Sequence, residues 1–143
     1  MHTILIVDDD PEDKFLLQIA FKENQIANPL VFLSDGLELI QYLEQSQDAD
    51  LPLYIMLDLN MPRMNGREAL MKLKSDTSWS AIPLLIYTTS ANISEICECY
   101  RLGANCYLIK PSDYEELIRL VAQNHAFWSQ AAVLCEELTV TSK

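Results

Sequence analysis

Apolar residues gather into five short runs, each closed by a polar or charged residue, with longer amphipathic stretches between them. The runs are Thr3 to Val7, Leu30 to Leu33, Leu53 to Leu57, Ile82 to Tyr87 and Cys106 to Ile109. The central one lies between Pro52 and the pair Pro62 and Gly66. Such runs are too short for independent helices and read as strands covered on both faces, the signature of a parallel sheet.

The intervening stretches read as helices. Asp10 is an N-cap with Pro11 at the first helical position, and Glu12 and Asp13 favour the positive end of the helix dipole. Phe15, Leu16, Ile19 and Ala20 form the apolar face of this first helix. After Ser34-Asp35-Gly36 a second helix carries Leu39, Ile40 and Leu43. A third, after Gly66, carries Ala69, Leu70 and Leu73 and leads into a polar loop, Ser75 to Ser80. The fourth runs from about Ile93 to Leu102, and the fifth begins near Ser112. Strands and helices thus alternate with short connections, which predicts an α/β fold: a doubly wound five-stranded parallel sheet with five helices on its two faces.

A length of 143 residues fits one domain, with no internal repeat or linker. The formal net charge of −11 argues against nucleic acid or a membrane surface as partner, since both select for Lys and Arg. Proteins or cations are the expected partners. No charged, apolar leader opens the chain, and no apolar run approaches the roughly 18 residues of a membrane span, so the expected location is the cytoplasm. The cysteines are Cys97, Cys99, Cys106 and Cys135. Cys97 and Cys99 point to different faces of a helix, a poor metal clamp, and all four read as reduced, partly buried thiols.

Candidate chemistry stands at the carboxyl ends of the strands: Asp8 and Asp9, then Asp58, Thr88 and Lys110. Ligands of open parallel sheets bind outside that edge, so the Asp58 side chain is expected to face solvent there. Two carboxylates about 4 Å apart at an effective dielectric near 20 repel by about 4 kcal/mol, so converging acids need a cation or protons. Mg2+, which takes one or two carboxylates plus a phosphate, suits a small open site. An ammonium and a hydroxyl opposite it would complete a pocket for a tetrahedral anion, with Asp58 as nucleophile forming an aspartyl phosphate. Taken singly, each residue has a plainer role, and Asp10 and Asp35 read as caps or turn residues; the conjunction points to chemistry.

Ile4-Leu5-Ile6-Val7-Asp8-Asp9, Leu57-Asp58-Leu59-Asn60-Met61-Pro62 with Gly66, Tyr87-Thr88-Thr89-Ser90, Gly103-Ala104 and Tyr107-Leu108-Ile109-Lys110-Pro111 together resemble the receiver domain of two-component response regulators. The resemblance covers residues 3 to about 124 and implies a flavodoxin-like fold. It implies that Asp58 accepts a phosphoryl group from a sensor histidine kinase or phosphotransfer protein. Asp9, Asp58 and the Asn60 main-chain carbonyl would ligate Mg2+, with Asp8 acting through a water. Thr88 and Lys110 would contact the phosphoryl oxygens, and Tyr107 would swing inward as Thr88 moves. In this family the bond before Pro111 is often cis. Ser112 stands where many relatives carry an aromatic. The chain is expected to be a signalling module and not an enzyme, single-domain, with output by protein contact or onward phosphotransfer.

Residues 1–124 are taken as the receiver domain and 125–143 as a C-terminal extension. In length and aromatic tail the chain most resembles the stand-alone regulators of bacterial phytochrome-type kinases. Phe127, Trp128, Ala131, Val133, Leu134, Cys135 and Leu138 lie past the usual core and are expected to build a homodimer with the face of the fourth helix, fifth strand and fifth helix. Folding back onto the domain is the competing reading. Alternatives for the activity are weaker. An aspartyl-phosphate phosphatase would usually carry an Asp where Asn60 stands, Asp8-Asp9-Asp10 would repel a flavin phosphate, and a phosphorylation-independent interaction module would not need the full set of Asp9, Asp58, Thr88 and Lys110.

Overall fold

The computed structural model describes residues 1–46 and 50–135. Strands β1 (Ile4–Val7), β2 (Leu30–Leu33), β3 (Tyr54–Leu57), β4 (Leu84–Thr88) and β5 (Cys106–Ile109) form one parallel sheet in the order β2-β1-β3-β4-β5. Helices α1 (Pro11–Glu23), α2 (Gly36–Gln45), α3 (Gly66–Ser75), α4 (Ile93–Arg101) and α5 (Tyr114–Ala126) connect them, the expected doubly wound, flavodoxin-like arrangement. Asp10 and Asp35 cap α1 and α2 as read from sequence, accepting from the Glu12 and Glu38 N–H groups. Helix α5 starts two residues after Ser112 because Asp113 caps it, accepting from the Glu115 N–H. No described peptide bond is cis, so Lys110–Pro111 is trans.

Alternating strand residues feed two separate cores. Leu5, Val7, Ile55, Leu57 and Ile86 pack with Leu39 and Leu43 of α2 and Leu70 and Leu73 of α3. Ile4, Ile6, Tyr54, Met56 and Leu85 pack on the other face with α1 and α5. Helix α4 docks more lightly, with Cys99 its one buried residue. Cys97, Cys99 and Cys106 are free thiols, Cys99 buried and the other two half-buried, whereas Cys135 is exposed and not buried as expected.

Two local expectations fail. Of the expected α1 face, Ala20 is buried and Leu16 packs against the core, but Phe15 is 60% exposed and Leu17 and Phe21 are buried in its place; six apolar residues between 15 and 21 offer two stripes, and packing against α5 and the sheet selects between them. The polar loop after α3 hides a core residue, since Trp79 is buried in the α2/α3 core.

Past Ala126 the chain continues as a π-helical turn, Phe127–Ala131. Trp128 donates its Nε1–H to Asn124 at 3.0 Å and packs with Leu134 against the α1/α5 core. This part of the tail folds back, leaving Phe127 and Val133 exposed; Leu138 lies outside the described residues. The junction is pinned from below. The hydroxyl of fully buried Tyr54 meets His125 Nδ1 at 2.9 Å, and Phe21 and Tyr54 lie edge-on to the His125 ring.

Burial holds the His125 pKa below its ordinary value, so the folded chain disfavours the imidazolium. Between that lowered pKa and the unfolded value of about 6.5, the unfolded chain binds more protons, and stability falls as pH falls through the window. Urea midpoints taken from about pH 7.5 to about pH 5 should therefore drop more steeply for the parent than for His125→Gln. Parallel curves for the two proteins would contradict this.

Candidate functional site

Strand order reverses between β1 and β3, so the chain leaving each strand turns to opposite faces and opens a crevice at their carboxyl ends. The Asp58 N–H donates to Val7 O at 2.9 Å, which sets Asp58 beside Asp8. Carboxylate oxygens of Asp8, Asp9 and Asp58 all lie within 4.8 Å of one another.

The Lys110 ammonium bridges this cluster. It donates to Asp8 Oδ2 at 2.7 Å, to Asp13 Oδ2 at 2.7 Å and, less closely, to Asp58 Oδ2 at 3.3 Å. The Tyr87 ring centroid lies 5.5 Å from Nζ, and the Lys110 N–H donates to Thr88 O, tying the end of β5 to β4. Asp8 Oδ1 accepts from the Asp10 N–H at 2.9 Å. Asp58 does not face solvent as expected: its side chain is 9% exposed, because Lys110, itself 8% exposed, folds across it. Asp9 is the open carboxylate of the three.

Burial pushes the Asp8 carboxyl upward, with Lys110 and the Asp10 N–H only partly opposing it. For Lys110 burial works downward, but hydrogen bonds to Asp13 and Asp8 and the nearby Asp58 charge outweigh it, so its pKa is raised and it stays protonated. Thr88 Oγ1 is buried at the same edge with no hydrogen-bond partner. Tyr107 is held outside that position, its hydroxyl donating to Ser90 O at 2.9 Å and its N–H to Tyr100 Oη at 3.0 Å.

The loop after Asp58 is stitched down on both sides. A Cβ at Gly66 would fall 2.6 Å from Leu59 Cα, so only glycine lets α3 begin against the loop, where the Gly66 N–H donates to Leu59 O. Arg63 adopts a left-handed φ of 61°, and its Nε donates to buried Asp35 at 2.6 Å. Asn60 in the same loop is exposed, its N–H 3.5 Å from Asp58 Oδ1.

An all-oxygen set of three carboxylates suits a hard divalent cation, and the orphaned Thr88 hydroxyl leaves a donor for an oxyanion beside it. Sequence reading missed Asp13, which it gave only a dipole role, and the Ser90 and Tyr100 partners of Tyr107. Position was the available signal, because the first turn of α1 begins at the edge where β1 ends. A cavity of about 570 Å3, lined by His2, Thr3, Tyr42 and Asp50 among others, lies at the opposite, amino edge and contains none of these groups.

Residues 4–122 match the family model of the response regulator receiver domain. Response regulator Rcp1 of Synechocystis is 34% identical over 134 residues, 92% of this chain and 91% of that protein, and its Mn(2+)-bound structure superposes with a TM-score of 0.82. The phosphorylated cyanobacterial phytochrome response regulator RcpA is 34% identical with a TM-score of 0.86, covering 94% and 99% of the two chains. Regulator RPA3017, from red light signalling of R. palustris, is 31% identical with a TM-score of 0.86, covering 94% and 98%.

Removing the ammonium strands two buried acids. Lys110→Met should lower stability at neutral pH by about 3 kcal/mol in chelator, and much of the loss should return when millimolar divalent cation is added. Urea unfolding with and without cation measures both; a cation-independent loss would mean that the clustered acids do not hold a cation.

Proposed function

The chain belongs to the response regulator receiver family, and on that premise we propose that Asp58 accepts a phosphoryl group from a sensor histidine kinase or phosphotransfer protein in a Mg2+-dependent reaction. The observation that carries this is the convergence of Asp8, Asp9 and Asp58 under Lys110, beside the unpartnered Thr88 hydroxyl. Family members are signalling modules, and no turnover of its own is assigned to this one.

In the proposed transfer an Asp58 carboxylate oxygen forms a bond to phosphorus while the bond from phosphorus to the donor histidine nitrogen breaks, the nitrogen keeping the electron pair. Asp9, Asp58 and the Asn60 main-chain carbonyl would hold Mg2+, with Asp8 acting through a water; the ion would neutralise charge on the phosphoryl oxygens. Lys110 turns its ammonium to the same oxygens, and Thr88 gives them the hydrogen bond its hydroxyl now lacks. As Thr88 moves, Tyr107 gives up its bond to Ser90 O and its ring turns inward. The surface of α4, β5 and α5 changes with it, and the output is an altered protein contact or onward phosphotransfer.

Residues 1–124 act as the receiver and 125–143 as an extension, in the cytoplasm. Among the described residues no helix is long and apolar enough to cross a membrane. Similarity to RcpA, a phytochrome response regulator by name, supports a phytochrome-type kinase as donor. A homodimer through α4, β5, α5 and the tail fits the exposed Ile93, Tyr100, Ile109, Tyr114 and Phe127. Because Trp128 already packs on its own domain, Phe127 is the one tail aromatic left for a partner. Its full burial is worth about 4–6 kcal/mol before association costs, and about half of that area is still available.

Incubation with acetyl phosphate and Mg2+ should add one phosphoryl group by intact mass, none in chelator and none in Asp58→Asn. Addition that survives the substitution would defeat the assignment. Light scattering should show a dimer for residues 1–143 and a monomer for residues 1–124; a full chain that stays monomeric at tens of micromolar would remove the interface.

A further inference from the structure

Lys110 does not sit on the proposed acceptor. Its ammonium is centred between Asp8 and Asp13, at 2.7 Å from each, and stands 3.3 Å from Asp58. The two close partners differ. Asp8 is 2% exposed at its side chain and already accepts from the Asp10 N–H, whereas Asp13 is 31% exposed. Asp13 keeps part of its hydration, so it can hold or release the ammonium at lower desolvation cost than Asp8.

We infer that Asp13 is the resting seat of Lys110, a positioning residue that draws the ammonium away from Asp8 and Asp58 so that a cation can use them. The inference rests on the reading of Asp58 as acceptor and extends it. A carboxylate that ligates a divalent ion has less charge to offer an ammonium, and the two cations repel each other. Lys110 must then move, and it is enclosed: its side chain is 8% exposed, with the Tyr87 ring on one side and carboxylates on the other. Asp13 is the acid in reach that lies outside the Asp8, Asp9 and Asp58 group. Its place in the first turn of α1 fixes its distance from the edge. With Asp13 neutral, the remaining partners of the ammonium are the ones the cation needs, and Lys110 becomes a competitor.

The experiment is a double-mutant cycle on Mg2+ affinity, measured by calorimetry on the full chain with parent, Asp13→Asn, Lys110→Met and the double variant. Asparagine keeps the shape of Asp13 and is tolerated in a first helical turn. Asp13→Asn should weaken Mg2+ binding roughly tenfold in the parent background and less than about twofold in the Lys110→Met background. Equal weakening in both backgrounds would show a through-space charge effect independent of Lys110 and would overturn the inference. So would unchanged affinity in the single variant. A parent that binds Mg2+ no better than Asp58→Asn and takes no phosphoryl group brings down the acceptor reading itself, a failure told apart because it appears before any change at Asp13.

Discussion

Three carboxylates and one ammonium at the mouth of the sheet set the terms for everything around them. The chain holds 21 acidic residues against 10 Lys and Arg, yet Asp8 and Asp58 are buried, where unpaired charge costs several kcal/mol. Lys110 is the group that makes this burial tolerable, and it does so from the far end of the fold. Its main chain is bonded to β4 and its side chain to acids that follow β1 and β3 and to one in α1. The same arrangement keeps the site incomplete: Thr88 lacks a partner and Asp58 has only long contacts, so the edge is more nearly satisfied with an added cation and oxyanion than without them.

The two cores divide the labour. The α1/α5 side anchors Tyr54 and the tail, while the α2/α3 side holds the loop that carries Asn60, with Arg63 and Gly66 fixing its path. Helix α4 belongs fully to neither. Besides its light packing, it is tied to α3 through Arg67, whose guanidinium lies 3.2 Å from Glu95 and 2.9 Å from Glu98, and partly exposed pairs of this kind contribute little each. A weakly held helix beside Ser90 and Tyr107 is where a local change of charge can become a change of shape.

Much of this was legible in the sequence, for physical reasons. Strand runs closed by Asp8, Asp58, Thr88 and Lys110 identified both the parallel sheet and the edge where these polar groups meet, because periodicity and termination are local properties. What depended on tertiary contact was lost. The reading of α1 was right at Ala20 but missed Leu17 and Phe21, and the missed role of Asp13 goes with it: Asp13, Leu17, Ala20 and Asn24 share a face at helical spacing, and Phe15 lies off it. Asn24 confirms the true face by donating to Ile118 O on α5 at 3.0 Å. Solvent exposure of Asp58 was likewise misjudged, since the covering ammonium arrives from 52 residues away.

That separation has a bearing on how the protein comes into being. Lys110 and Asp8 are 102 residues apart, so a chain emerging from the ribosome builds its acidic edge long before the counter-charge exists. Until β5 docks, β1 and β3 end in carboxylates that repel one another and resist being drawn from water. The last strand therefore does more than complete a sheet: it lets the earlier ones settle. A copy that stops before β5, or has lost it by partial unfolding, has no enclosed ammonium and no assembled edge, so the acidic cluster is complete only once the chain has been made past Lys110 and its last strand has docked.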